Sequence, residues 1–493
     1  MTIREILAGV HRRYGISEAL ASREVVDLDY DSRRVGKDFL FFAFSGQHTD
    51  GRIFARQALE KGAVAIIGEL ECPADIDPAL WIQVEHGRRA LATAARAMAG
   101  APDDRIGIAG ITGTNGKTTT SYILDSIFRA AGKTTALIGT IEYHVGAEKR
   151  RAVNTTPESL DLYRILSELE AMRGTHATME VSSHALALGR VHGVRFHTAV
   201  FTNFTRDHLD FHGTMDEYFL AKQMLFERPD LQYAVVNWDD EASRRLRTCG
   251  STKRISYGTC KEAAMRACGI ESTFKGLRFE IRFEGARIRI SSPLMGHINV
   301  SNILAACGAA YSFGIDWETI VRGVANCAGV PGRFERVDEG QPFLVVVDYA
   351  HTDDALRNTI HVARELGPKR VLTLFGCGGD RDRNKRPLMG SAAAELSDFV
   401  VLTSDNPRTE DPLDIINDAL VGLRRHDTPH VIEVDREKGI RCIVGEAQAG
   451  DIVLLAGKGH ETYQQLKDTT VPFDDRVSAR AALRSFGYGG TGK

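Results

Sequence analysis

No apolar run among the 493 residues approaches the roughly 18 needed to cross a bilayer, and the stretch from Met1 to Gly15 lacks the apolar core and cleavage site of a secretory leader. Arg4, Glu5, Arg12 and Arg13 interrupt apolar residues at helical spacing there, so the start reads as part of a folded, cytoplasmic protein. An excess of one charge is also missing: 62 Lys and Arg face 65 Asp and Glu, for a net charge of −3. That balance offers no global attraction for nucleic acid or an anionic membrane, and any anion must be held locally. Cysteine is sparse. Cys72, Cys249, Cys260, Cys268, Cys307, Cys327, Cys377 and Cys442 are scattered without a CxxC pair in a chain too large to need staples, which predicts reduced, mostly buried thiols. Internal repeats and low-complexity segments are absent as well.

What is present is the balance of a globular α/β protein, 43% hydrophobic and 26% charged. A chain of this length outgrows a single core, and three domains are expected, over residues 1–102, 103–330 and 331–493. The first alternates short apolar runs, Phe39–Phe44 and Ala63–Gly68, with helical stretches, and ends in an Ala-rich helix expected from Arg88 to Gly100. Pro102, Asp103 and Asp104 break that pattern. From Arg105 the chain reads strand, Gly-rich loop, helix, and strand-like runs recur at Thr135–Ile141, Ala177–Val181, Ala199–Thr202 and Ala234–Asn237. This is the rhythm of a parallel sheet with crossover helices. Apolar and charged residues then alternate from Thr273 to Ile290 around Gly276 and Gly285, which predicts antiparallel hairpins. A helix is expected from Asn299 to Phe313, and Pro331-Gly332 marks the second boundary. Beyond it, strands are expected at Leu344–Asp348, Val371–Phe375, Phe399–Thr403 and Ile452–Ala456, a second α/β unit.

The strongest local signal runs from Gly110 through Gly113-Thr114-Asn115-Gly116-Lys117-Thr118-Thr119, after the apolar run Ile106–Ala109 and before a helix expected over Thr120–Ala131. Glycines let backbone N–H groups turn onto phosphate oxygens, and the helix N-terminus adds a favourable dipole. In this pattern Lys117 holds the transferring phosphate and Thr118 a magnesium ion. No guanine-recognition motif follows, so ATP is the expected nucleotide.

Three further features carry chemistry. Glu180 closes the apolar run Ala177–Val181, the carboxyl-end location where parallel sheets place ligand sites, and suits a metal. The stretch from Thr202 to Gly213, with Arg206, Asp207, His208, Asp210 and His212, concentrates His and Asp; it reads either as a metal-binding loop or as surface charge capping the next helix. Lys222 stands among Phe219, Leu220, Ala221, Met224, Leu225 and Phe226. A snorkelling surface lysine is the plainer reading of it, and a buried amine that takes up carbon dioxide to form an anionic carbamate is the other.

Together these segments resemble the Mur ligase family: the GTNGKTT loop, the Glu180 strand end, TNFTRDHLDFHG, Lys222 in AKQMLF, GHINVSNILAA from Gly296, PGRFE at 331–335 and DYAHT at 348–352. Their order covers nearly the whole chain. The resemblance implies a central P-loop parallel-sheet ATPase domain, flanked by an N-terminal α/β domain for a nucleotide-linked substrate and a C-terminal Rossmann-like α/β domain. It implies ATP and Mg2+ as cofactors, with Glu180, His208 and a carbamylated Lys222 holding metal beside Thr118. It further assigns Asn302 to adenine, Arg333 to the phosphates and Asp348 to the ribose, with His351 nearby. From residue type alone, a helix cap before Thr352 and Asp353 is the lesser alternative for Asp348.

Within the family, Asp405-Asn406-Pro407-Arg408 resembles the motif of members that add meso-diaminopimelate, whereas lysine-adding members lack the arginine. The far end of diaminopimelate carries a carboxylate that lysine lacks, and an arginine fork pairs with a carboxylate bidentately. The resemblance adds Arg381, Gly457 and Glu461 to the acceptor site. It places the uridine nucleotide of UDP-MurNAc-L-Ala-D-Glu on Tyr30, Ser32, Gln47, His48 and Thr49, and the muramoyl dipeptide on Asn154, Thr155, Thr156, Ser182 and Arg190. Folylpolyglutamate synthetases share the general plan and remain the alternative, with the lysine-adding relatives. Leu188, where some relatives have Gln, and Asp353, where Pro is common, depart from the pattern without touching the metal or phosphate residues.

The expected reaction is attack of the D-glutamate γ-carboxylate on the γ-phosphate, then displacement of phosphate from the acyl phosphate by the diaminopimelate amine. Lys117, His208 and magnesium neutralise the growing charge, and domain closure keeps water from the acyl phosphate. A monomer is expected, with no nucleic-acid or membrane partner.

Overall fold

The computed structural model describes residues 1–46 and 49–489. The chain forms two compact units, one of Met1–Arg266 with Leu304–Gly323 and one of Ala267–Ile303 with Val324–Lys493.

The first unit carries two sheets. The smaller pairs Asp27–Asp29, Phe39–Ala43, Ala65–Gly68 and Trp81–Gln83 in chain order, all parallel. Phe39–Ala43 is buried on both faces beyond its first residue, which is why it shows in the sequence as an unbroken apolar run. Helix Gly87–Met98 packs with Ala90, Leu91, Ala94 and Ala95 inward, a stripe of small residues at helical spacing. In the larger sheet, Lys253–Gly258, Tyr233–Asn237, Thr198–Phe201, Gly107–Thr112, His176–Glu180 and Thr135–Ile138 lie side by side and parallel. Two antiparallel strands, Glu142–Val145 and Glu148–Arg151, extend its edge. The strand that leads into the Gly-rich loop is therefore central, between Thr198–Phe201 and His176–Glu180, so three carboxyl ends open onto one place.

The second unit holds a six-stranded sheet in the order Glu335–Val337, Leu344–Asp348, Ile452–Ala456, Val371–Phe375, Phe399–Thr403 and His430–Glu433. Only the first pair is antiparallel. Both faces are covered: Val346 enters one apolar cluster while its neighbours Val345 and Val347 enter the other. The expected hairpin is present as Gly276–Phe283 against Ala286–Ser292. Its turn residues Glu284 and Gly285 both have positive φ, 48° and 82°, the geometry whose twist matches that of the flanking strands.

The cysteines depart from expectation. All eight are free thiols, but only Cys307, Cys327 and Cys377 are buried; the others lie at partly or fully exposed positions on surface segments. Among the described residues no helix is long and apolar enough to cross a membrane.

Candidate functional site

Strand Gly107–Thr112 runs into the loop, and helix Lys117–Ala130 starts three residues earlier than the sequence pattern suggests, at Lys117 itself. Gly113 has φ 146°, and a Cβ there would lie 1.9 Å from Thr202 Oγ1, so this close approach admits only glycine. The TNFTRDHLDFHG stretch is zipped onto the loop. Thr114 N–H donates to Asn203 O at 2.9 Å, Asn115 N–H to Asn203 Oδ1 at 2.8 Å, and Thr202 Oγ1 to Asn115 O at 2.6 Å. Thr205 N–H also donates to Thr114 Oγ1 at 3.0 Å. Asn203, to which the sequence pattern gives no separate role, thus sets the loop's shape.

Thr118 and Thr119 are buried in the first turn of the helix. Thr118 Oγ1 donates to Glu180 Oε2 at 3.0 Å, joining two of the four expected magnesium ligands. Glu180 is 0% exposed, and its carboxylate also accepts from Thr140 N–H at 2.9 Å and Thr140 Oγ1 at 3.0 Å. Lys117 Nζ donates to Gly113 O at 2.9 Å and Thr114 O at 2.8 Å. Lys222 is buried, against the plainer reading of it as a snorkelling lysine. Its Nζ donates to the same Gly113 O at 2.9 Å and lies 4.3 Å from the centre of the Tyr218 ring. Burial, and then the neighbouring Lys117 cation, pull the Lys222 amine well below its ordinary range.

His208 adopts φ 51° at the start of the short helix Leu209–His212, with Nε2 3.4 Å from Asp207. Burial, only partly offset by Asp207, lowers its pKa. Its ring lies edge-on to His184 at 4.7 Å. Oxygen donors dominate this neighbourhood, as magnesium requires, while no three His, Cys, Asp or Glu side chains among the described residues converge as a ready-made metal site. A magnesium ion here would lean on Thr118, Glu180, retained waters and substrate phosphates.

The residues expected to hold the dipeptide gather beside Glu180. Thr155 Oγ1 lies 3.1 Å from Thr140 Oγ1, Thr156 Oγ1 donates to Glu180 O at 2.9 Å, and Ser182 Oγ caps helix Ser183–Leu188 through Ala185 N–H. Arg190 Nη1 donates to Thr156 O at 3.1 Å, and its Nε lies 2.9 Å from Glu158. Glu158 is shared with Arg88, a bridge the sequence did not suggest. Asn154 O accepts from the Tyr143 hydroxyl at 2.5 Å. In the small sheet's layer, Tyr30 stacks on Phe44 with its hydroxyl donating to Asp161, and Ser32 Oγ donates to Gln57 at 2.7 Å. Thr49 is exposed nearby in sequence, while Gln47 and His48 lie outside the described residues.

Two cavities open in the second unit. One, of about 240 Å³, is lined by Met295, Asn299, Pro331, Arg333 and Phe334 among others. Asn302 lies one helical turn on and donates to Asn299 Oδ1 at 2.9 Å, so Asn299 faces the cavity and Asn302 supports it. The guanidinium of Arg333 lies 5.0 Å from the Tyr349 ring centre. Asp348 is not the cap of helix Asp353–Glu365, a role Thr352 fills. Its carboxylate instead accepts Phe334 N–H at 2.7 Å and Ala350 N–H at 2.9 Å, and burial raises its pKa.

The other cavity, of about 270 Å³, brings together Arg381, Asp405, Asn406, Arg408, Gly457 and Glu461, with His351 and Lys385 at its wall. Pro407 lies between two lining residues. Arg408 has φ 52°, and its Nη1 donates to Gly379 O at 2.6 Å. The loop bearing Arg381 is pinned from below. Arg386, 1% exposed, forks onto Glu410 at 2.7 and 2.9 Å and reaches Asp418 at 2.9 Å, while Asp380 N–H donates to Glu410 at 2.5 Å. The cavity therefore offers cationic groups for carboxylates and anionic ones, Asp405 and Glu461 among them, for an ammonium.

Residues 111–310 match the model of the Mur ligase middle domain, 332–459 that of the Mur ligase glutamate ligase domain, and 24–98 that of the Mur ligase family catalytic domain. The chain is 64% identical over 492 residues to a UDP-N-acetylmuramoyl-L-alanyl-D-glutamate--2,6-diaminopimelate ligase of Solibacter usitatus, covering 99% of each. Identity is 46% to the ligase of the same name from Geobacillus thermodenitrificans, over 94% of this chain and 95% of that one. A solved structure of such a ligase aligns with a TM-score of 0.74 at 34% identity, over 99% of both chains.

Proposed function

The chain belongs to the Mur ligase family, and from that premise we propose that it joins meso-2,6-diaminopimelate to UDP-N-acetylmuramoyl-L-alanyl-D-glutamate with cleavage of ATP to ADP and phosphate. The D-glutamate γ-carboxylate attacks the γ-phosphorus of ATP, ADP leaves, and an acyl phosphate forms. An amine of diaminopimelate then adds to the acyl carbon, and collapse of the tetrahedral adduct expels phosphate and a proton. No side-chain nucleophile is needed, so the protein's part is positioning and charge.

Lys117 and the loop N–H groups suit the triphosphate, and Arg190, Thr155, Thr156 and Ser182 suit the muramoyl dipeptide beside them. Bound magnesium would neutralise phosphate charge, with Thr118, Glu180, His208 and carbamylated Lys222 as its protein neighbours. In the second unit the Asn299–Arg333 cavity suits adenine and phosphate, with Asp348 close by for the ribose.

The observation that carries the acceptor assignment is the single cavity in which Arg408 and Arg381 stand with Glu461. Diaminopimelate ends in a carboxylate and an ammonium on one carbon, whereas lysine has only the ammonium. A guanidinium desolvated without its carboxylate penalises lysine by about 1–3 kcal/mol or more. The test offers UDP-MurNAc-L-Ala-D-Glu, ATP and either diamino acid to the purified enzyme, following ADP release and product mass. Wild type should use diaminopimelate at least tenfold better by kcat/KM, and Arg408→Ala should erase most of that preference. Undiminished selectivity in Arg408→Ala, or equal use of lysine by wild type, would overturn the assignment.

A further inference from the structure

Lys458 is fully buried beneath the acceptor cavity, although neither sequence pattern nor family resemblance gives it a role. Its Nζ donates to Asn406 Oδ1 at 3.1 Å and to Glu461 Oε2 at 3.1 Å. An ammonium has only donors, and the second group pointing at Asn406 Oδ1, the Gln465 N–H at 2.9 Å, is also a donor. Two donors on one atom fix which end of the Asn406 amide is oxygen. Its Nδ2 is thereby turned to Glu461 Oε2, at 2.9 Å. Both donors thus converge on a single carboxylate oxygen, and Glu461 Oε1 receives no protein hydrogen bond among the described residues. Gln464 and Gln465 hold the same segment from the other side, through Gln464 Nε2 to Asp405 O and Arg408 N–H to Gln465 O.

We propose that Lys458 is a positioning residue for the acceptor: with Asn406 it occupies one oxygen of Glu461 and leaves the other as an oriented acceptor for the substrate's distal ammonium. The inference rests on the diaminopimelate reading above. A lysine that merely props up the cavity would, when removed, harm every acceptor alike. One that acts through Glu461 harms only acceptors bearing the distal ammonium.

The experiment compares wild type and Lys458→Met with two acceptors, meso-diaminopimelate and 2-aminopimelate, which keeps the reacting amine and both carboxylates but lacks the distal amine. Lys458→Met should raise KM for diaminopimelate at least tenfold, with kcat within about threefold and KM for ATP and the UDP-peptide unchanged, while KM for 2-aminopimelate stays within twofold. Added to Glu461→Gln, the change should produce no further rise. Equal increases for both acceptors, or an unaltered KM for diaminopimelate, overturn the proposal. If Lys458→Met does not fold, Lys458→Gln, which keeps most of the side-chain length while removing the charge, must show the same acceptor-selective loss, and its failure to do so is equally fatal. Should wild type form no product with diaminopimelate, the acceptor assignment itself fails and the positioning role falls with it.

Discussion

Lys117 and Lys222 direct two ammonium groups at one carbonyl oxygen, Gly113 O, each at 2.9 Å. Two like charges so close, one of them buried, favour the neutral amine at Lys222, and a neutral amine is the form that adds carbon dioxide. Addition forms an N–C bond, releases a proton and leaves a carbamate, so a repelling pair becomes an attracting one. Enzyme equilibrated with 13C-bicarbonate should show a carbamate carbonyl resonance that disappears in Lys222→Ala, with kcat of that variant at least a hundredfold lower; a wild-type spectrum without the resonance would count against the modification. The phosphate loop is legible in sequence because its chemistry is backbone chemistry, and only glycine tolerates the turns it needs. Lys458 is not legible. A lysine three residues before a glutamate looks like any surface pair, and only burial, which depends on the strands around it, reveals that its partners are an amide and a carboxylate of the acceptor cavity.

At the level of elements, the strands Leu344–Asp348, Val371–Phe375, Phe399–Thr403 and Ile452–Ala456 begin and end where the sequence pattern puts them, because strands buried on both faces appear as unbroken apolar runs between turn formers. The hairpin Glu142–Val145 with Glu148–Arg151 leaves no such trace: its outer strand reads Glu-Lys-Arg-Arg and is fully exposed. Such a charged edge resists pairing with another chain, which is a property of its place in the sheet and carries no periodic apolar signal. His176 opens the strand His176–Glu180 and packs against Phe128 of the loop helix and Phe313, at 4.8 and 5.4 Å between ring centres. Burial pulls its pKa down to about 4. An unfolded histidine titrates near 6.5, so as pH falls from about 6.5 toward 4 the unfolded chain takes up a proton that the folded one refuses. Stability therefore declines over that window, and the full penalty is present below it. In His176→Gln the denaturant midpoint should fall less steeply between pH 7 and 5 than in wild type; parallel slopes would show that His176 does not carry the dependence.

On the scale of the whole molecule, the two units are interleaved in the chain, with connections after Arg266, Ile303 and Gly323. The turn signal at Pro331-Gly332 precedes the six-stranded sheet, and residues before it line the same core. Met295 belongs to the same apolar cluster as Leu344, Val346 and Leu356, and Phe274 packs on it. Arg336 Nη1 donates to Phe274 O at 3.3 Å, and Gly296 lies so close to Val362 that a Cβ would come within 2.4 Å of it. A fragment of residues 331–493 therefore keeps its six strands but loses the side chains that close one face of the sheet. Removing a buried methionine alone costs about 2–5 kcal/mol when the site cannot collapse. Residues 267–493, which restore Met295, Phe274 and the hairpin, should unfold at a higher denaturant concentration than 331–493 by an amount of that order, and the shorter fragment should bind an apolar dye that the longer one excludes. Coincident midpoints for the two fragments would mean that segment 267–303 contributes nothing to the core it lines.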